Sequence, residues 1–416
     1  MQQGSTLAIL RALIKSSGAT LVTWNRLYEP ALIARDKIIK TALAEDGLAV
    51  ASHNAALLFE PWTIHNAQGL PYRVFTPFWR LAETRLDTVP APLPIPRFTA
   101  PRRPRTSAGA GGDAGPHSLE IDQLELLPRI RWDSGLAANW TPGETAALRQ
   151  LKSFAKIASQ YAELRNRPDQ AGTSRLSPYL HFGELSPRQV LAQLRIGQAG
   201  AAAAAGIATF RREIGWREFA HQLLFHFPQT AEQPLDRRFE NLSFRADGKS
   251  LRAWQRGLTG HPLVDAGMRE LWQTGWMHNR VRMIVASLLT KNLQTHWLKG
   301  ARWFWDTLVD ADLANNTLGW QWTAGCGADA APYYRIFNPA LQAEKFDPER
   351  GYIRRWVPEL AALPNKWIVQ PWAAPAGILA DAAVRLGKTY PLPIADLKVS
   401  RDAALAAYAS IKQPMD

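Results

Sequence analysis

The chain has 416 residues, 49 Lys+Arg against 36 Asp+Glu, a formal net charge of +13 and one cysteine, Cys326. That length allows two or three domains, each with a core of its own. A lone cysteine excludes an intrachain disulfide and a Cys-rich metal cluster, and the basic balance makes a polyanion the first partner to consider.

The opening MQQGSTLAILRALIKSSGATL lacks the features of a secretory signal. No apolar run reaches about 18 residues, so a cytoplasmic protein without membrane contact is expected. Residues 7–15 have helical spacing, ATLVTW reads as a short buried strand, ALIARDKIIKTALAEDG as a helix closed by Gly47, and LAVASHN as a second strand. The alternation predicts a small α/β unit with parallel strands over residues 1–87.

Residues 88–118 are dense in Pro, Gly, Ala and Ser, with four arginines, and suit a surface linker. From about Thr141 onward helix follows helix. The first is expected over TPGETAALRQLKSFAKIASQYAE, with Thr141 as cap and Pro142 in the first turn. Residues 119–405 are therefore expected to form an all-helical domain, with 406–416 as a tail. The alanine run 200–205 reads as a helix or an inter-helix segment.

Four segments could carry chemistry. In GTSRLSPYLHFGELSPRQV, Thr173, Ser174 and Ser177 stand beside Arg175 on a turn that could offer donors to a phosphate; the alternative is a pair of helix caps at Ser177 and Ser186. In FRREIGWREFAHQLLFHFP, Glu213 and Trp216 share a helix face, so a carboxylate and an indole could read and stack on a base, or form the rim of a surface helix. In GWMHNRVRM, Arg280 and Arg282 diverge, one toward a cofactor and the other toward solvent. His278 has no second ligand at metal spacing and is expected to be structural or hydrogen-bonding. In DADLANNTLGWQWTAGCGADAAPYYRIFNP, Asp310, Asp312, Asn315 and Asn316 lack the glycine and closing glutamate of a calcium loop. Trp320 and Trp322 there suit ring binding or a tight inter-helix loop. No metal is expected.

Taken together, GTSRLSPYL, IGWREF, TGHPLVDAGMRELWQTGWMHNRVRM, DADLANNTLGWQW and RIFNPALQAEKFDP resemble, in order and spacing, the DNA photolyase/cryptochrome family over roughly residues 20–400. Within it the pattern is most similar to cyclobutane pyrimidine dimer photolyases. The resemblance implies an α/β plus all-α fold: a Rossmann-like antenna domain, here shortened at its N-terminus, a long linker, and a helical domain holding FAD. It implies light-driven electron transfer from reduced FAD that splits pyrimidine dimers in damaged DNA, carried out by a monomer. The alternative is a cryptochrome, a blue-light receptor without repair.

Residue by residue, the resemblance puts Tyr161, Thr173, Ser174, Arg175, Leu176 and Ser177 at the FAD phosphates. Arg282, Asp310, Asp312 and Asn316 fall around the flavin ring, Asn316 near N5. Glu213, Trp216, Asn279, Met283 and Trp322 match the pocket for the flipped dimer, and Arg217, Arg280, Arg335 and Gln342 positions near DNA. Trp320 and Trp297 match the inner members of a photoreduction relay whose outer position is Phe244, so electron exit through Trp303 or Trp305 is expected. Asn25, Tyr28 and Glu29 of WNRLYEP lie where some members bind a folate; an antenna chromophore, folate or deazaflavin, would here meet only part of its pocket.

Overall fold

The computed structural model describes residues 1–94, 118–194, 201–245, 247–330 and 334–412. Most of the expected linker, and the start of the alanine run, lie outside the described residues. The N-terminal unit runs α1 (Thr6–Ser17), β1 (Leu21–Asn25), α2 (Pro30–Glu45) and β2 (Ala49–His53). The strands pair in parallel with Leu21 opposite Ala49 and Asn25 opposite His53. Pro30 begins α2, where its missing N–H costs nothing, and Gly47 follows its end at a φ of 84°. β1 was expected to be buried. Its side chains instead alternate between exposed and half-buried, because in a two-stranded sheet only one face is covered.

A further helix, α3 (Phe75–Thr84), buries Phe75, Phe78, Trp79 and Ala82. After the short helix Ser134–Asn139 comes α4 (Glu144–Ala155). Its start falls after Gly143, at a φ of 103°, whose N–H donates to Glu184 at 2.8 Å. Thr141 therefore caps nothing and accepts the Tyr179 hydroxyl at its carbonyl instead. The helix breaks at Ala155 and resumes only at Tyr161–Leu164.

The 26-residue α5 (Ala201–His226) follows, then α6 (Pro262–Thr274), α7 (Asn279–Ser287), α8 (Trp297–Thr307), α9 (Leu313–Ala324), α10 (Pro339–Phe346), α11 (Gly351–Trp356) and α12 (Leu397–Ser410). α6 to α11 surround the main core, which includes Trp254, Leu271, Val285, Trp297, Trp320 and Tyr352. Close packing fixes α8 against α9: a Cβ on Gly300 would lie 2.1 Å from the Trp320 ring. Among the described residues no helix is long and apolar enough to cross a membrane.

α5 fastens the two units together. The Glu218 carboxylate accepts the N–H groups of Leu58 and Phe59 at 2.9 and 3.1 Å, and Gln222 donates to the Ile64 carbonyl at 3.0 Å. Gly215 lets α3 lie flat on α5, since a Cβ there would be 2.2 Å from the Trp79 ring. Phe75, Phe78, Trp79, Phe219 and Leu223 form the shared apolar layer.

Candidate active site

The turn at 172–176 leads into the short helix Ser177–His181. Arg175 sits at a φ of 51°, and its guanidinium lies between the rings of Trp140 and Trp276, 4.8 and 4.7 Å from their centroids. Arg175 Nε is buried without a protein partner. Thr173 and Ser174 are half-buried, and Tyr161 and Leu176 are buried, whereas Ser177 is exposed. Ser177 caps nothing, because Leu176 occupies the cap position. Ser186 forms a reciprocal capping box with Gln189.

At the far end of α6 the chain turns and His278 caps α7, its Nδ1 accepting the Arg280 N–H at 3.1 Å. Burial, with Arg280 and Arg282 nearby, pushes the His278 pKa down to about 3. The ring is neutral, and its one N–H, on Nε2, is buried without a protein acceptor. Arg282 donates to both oxygens of Asp310, at 2.9 and 3.1 Å, and through Nε to the Met277 carbonyl at 2.7 Å.

Asp312 caps α9 by accepting the Asn315 N–H at 2.8 Å. His221 Nε2 and His181 Nδ1 stand 3.5 and 3.6 Å from its second oxygen. Burial pushes its pKa up, but His221, His181 and Arg217 outweigh that and hold it well below the usual carboxylate range. Asn316, one turn into α9, donates to the Ala301 carbonyl at 2.9 Å.

Glu213 on α5 pairs with Arg165 at 2.7 Å. Burial still raises its pKa against the pull of Arg165, Arg212 and Arg280. Arg280 does not run out to solvent as one of the two arginines was expected to: it donates to Asn166 at 2.6 Å, packs on Phe346 at 4.5 Å and meets Met283 Sδ at 3.7 Å. Asn166 and Phe346, distant in sequence, hold it in. Trp216 stacks on Phe75. Asn279 is exposed, and Arg335 lies over the Trp322 ring at 5.5 Å beside a small cavity lined by Trp322, Asp329, Arg335 and Phe337. Gln342 is half-buried on α10. Arg217 has a use that the sequence did not suggest: it donates to the carbonyls of Ala56 and Leu180, at 2.5 and 3.4 Å, and so bridges the two units.

Trp320 and Trp297 are 2 and 3% exposed. His296 stands between Trp297 and Phe244, its ring 5.8 Å from the first and 4.7 Å from the second. Trp303 begins a stack that continues to Trp272 at 5.9 Å and then to Trp132 at 5.5 Å, both exposed, whereas Trp305, also on α8, is exposed. Of the residues expected at an antenna, Asn25 is exposed. Tyr28 is buried with its hydroxyl on Glu60, and Glu29 faces the Asp312 cluster across the unit boundary.

Sequence reasoning missed Arg165, Phe75 and Trp272 as neighbours of the site. None belongs to a short motif, and only folding brings each to its partner. His181 and His221 could have been suspected from their motifs, but not their shared carboxylate.

Residues 210–410 match the FAD binding domain of DNA photolyase, and residues 1–97 match the DNA photolyase family. The chain is 49% identical to the deoxyribodipyrimidine photo-lyase of Agrobacterium fabrum, over 99% of this chain and 84% of that protein. It is 39% identical to cryptochrome-2 of Arabidopsis thaliana, over 98% of this chain and 67% of that one. Among solved structures, a bacterial class III photolyase from Agrobacterium tumefaciens superposes with a TM-score of 0.91 at 48% identity, covering 98% of this chain and 83% of that one. By these matches and by its α/β plus helical architecture, the chain belongs to the DNA photolyase/cryptochrome family.

Proposed function

We propose that this chain is a deoxyribodipyrimidine photo-lyase, a light-driven DNA-repair enzyme that uses FAD to split cyclobutane pyrimidine dimers. The observation that carries this reading is the cluster of Glu213, Arg165, Arg280 and Met283, with Trp216 on the same helix face as Glu213. A flipped dimer needs a flat ring to lie against and a hydrogen-bond partner for its edge, and Trp216 and Glu213 supply both. Arg280 and Arg335 add positive charge beside them, and the net +13 favours phosphate contact without base readout.

The residues fit FAD. Arg175 and His278 each present a buried donor with no protein acceptor. These suit an anionic and heterocyclic ligand, held by Thr173 and Ser174 at its phosphates and by Arg282, Asp310 and Asn316 at its ring. Bound and reduced, FAD supplies on excitation the electron that opens the dimer. The chain binds and orients cofactor and lesion, and keeps water away with the buried walls around Trp320. Trp320 and Trp297 are assigned to photoreduction, with exit along Trp303, Trp272 and Trp132 in place of Phe244. Such a protein works as a monomer in the reducing cytoplasm, as its single buried cysteine suits.

The test is repair itself. Purified chain with chemically reduced FAD is expected to restore dimer-containing oligonucleotides under blue light and not in the dark. Equal dimer levels in lit and dark samples would overturn the reading in favour of a photoreceptor.

A further inference from the structure

One face of Trp216 is already taken. Phe75, the first residue of α3, stacks on it with centroids 3.7 Å apart and planes at 8°. Trp79 continues the pile, 6.3 Å from Phe75 and again at 8°. Phe219 meets both Trp216 and Phe75 edge-on, at 5.9 and 5.8 Å. Phe75 is 4% exposed while Trp216 is half-buried, so the stack supports the indole from behind.

Phe75 also reaches the second tryptophan. Ala328 packs in the same apolar cluster as Phe75, and this brings the next residue, Asp329 at a φ of 57°, to the start of α3, where the Phe75 N–H counters the upward push of burial on its pKa. The Asp329 backbone carbonyl accepts Trp322 Nε1 at 3.1 Å. A carboxylate at the first N–H of a helix is favoured by the helix dipole as well. The N-terminus of α3 is thereby tied to Trp216 through a ring and to Trp322 through one residue.

We propose that Phe75 and Asp329 are positioning residues of the lesion pocket, and that the α/β unit thus forms its rear wall. This rests on the assignment of Trp216 and Trp322 to the dimer. A ring held in place before binding loses little freedom when the dimer stacks on it, and that preorganisation raises affinity for the flipped lesion. Phosphate contacts do not pass through buried Phe75. Its loss therefore lowers preference for damaged DNA while leaving affinity for undamaged DNA alone.

Two duplexes of one sequence, with and without a single cyclobutane thymine dimer, are titrated in the dark with the FAD-loaded full chain. 2-Aminopurine opposite the lesion reports flipping. Phe75→Leu and Asp329→Ala are each expected to lower the damaged-to-undamaged affinity ratio by roughly threefold to tenfold, the range of one aromatic stack. Flavin per chain and affinity for the undamaged duplex stay at parental values. Phe75→Tyr, which keeps a ring on Trp216, stays near the parental ratio. Asp329→Ala leaves the apolar layer untouched and decides the matter if Phe75→Leu folds poorly. A parental ratio and flipping signal in Asp329→Ala overturns the proposal. A parental ratio in Trp216→Leu overturns the lesion assignment beneath it, so the two failures are distinguishable.

Discussion

The Glu213 carboxylate lies 2.7 Å from the Arg165 guanidinium, yet burial keeps its pKa above the ordinary glutamate range. The ion pair aims the carboxyl, and the burial lets more of it remain protonated in mild acid than an exposed glutamate would. A protonated carboxyl can donate a hydrogen bond to a pyrimidine carbonyl on which negative charge develops.

Removing that group tests its role directly. Glu213→Ala is expected to cut repair per absorbed photon by roughly tenfold to a hundredfold, the scale of a hydrogen bond to a charged group, with flavin content unchanged. The raised pKa means that the donor is present at low pH and lost as pH rises through it. Parental repair should decline over that rise, and Glu213→Gln, which always carries a donor, should not. A flat parental profile, or loss of the yellow colour in Glu213→Ala, contradicts the assignment.

Asp312 is held ionised by His221, His181 and Arg217 and caps α9, the helix that carries Asn316 and Trp320. Asp312→Asn is expected to lower stability by about 1–3 kcal/mol at neutral pH, combining a weakened cap with lost charge contacts. A depressed pKa gives stability that is present above the unfolded value, about 3.9, and lost as pH falls through the folded one. The gap in Tm between parent and variant should therefore be full near neutrality and narrow below about pH 4. Thermal scans from neutral to acid pH check this.

Arg282 and Asp310 make a two-pronged contact in which the Asp310 side chain is only 3% exposed. Arg282→Met leaves that carboxylate buried and unpaired, at a cost of about 3–5 kcal/mol. Loss of bound flavin is expected before loss of helicity, read as absorbance against circular dichroism in one sample. Retention of full flavin would remove Arg282 from the cofactor site.

Trp320→Phe should abolish most photoreduction while sparing repair by chemically reduced protein. Trp272→Phe breaks the surface stack between Trp303 and Trp132 and should slow photoreduction without affecting repair. Phe244→Ala should change neither, because phenylalanine is a poor electron donor. Parental photoreduction in Trp272→Phe would exclude the stack as the exit.

Much of this protein was legible in one dimension. Helical spacing and the βαβ alternation of residues 1–53 follow from local propensity, as do the cap at Ser186 and the glycine after α2, because each depends on near neighbours in the chain. The motif residues also came forward from the sequence, since residues 172–180, 214–219, 259–283 and 310–322 keep their chemistry within a few turns.

Partners were another matter. The family resemblance put Arg217 near DNA, whereas folding brings the Ala56 carbonyl to it from 161 positions away. Phe75 stood outside every motif, and only the packing of α3 on Gly215 and Trp216 makes it part of the site. Composition and local periodicity determine which groups are available and on which elements they ride. Which group meets which depends on close packing between elements distant in sequence, where a missing Cβ or a single carbonyl decides how near two helices come.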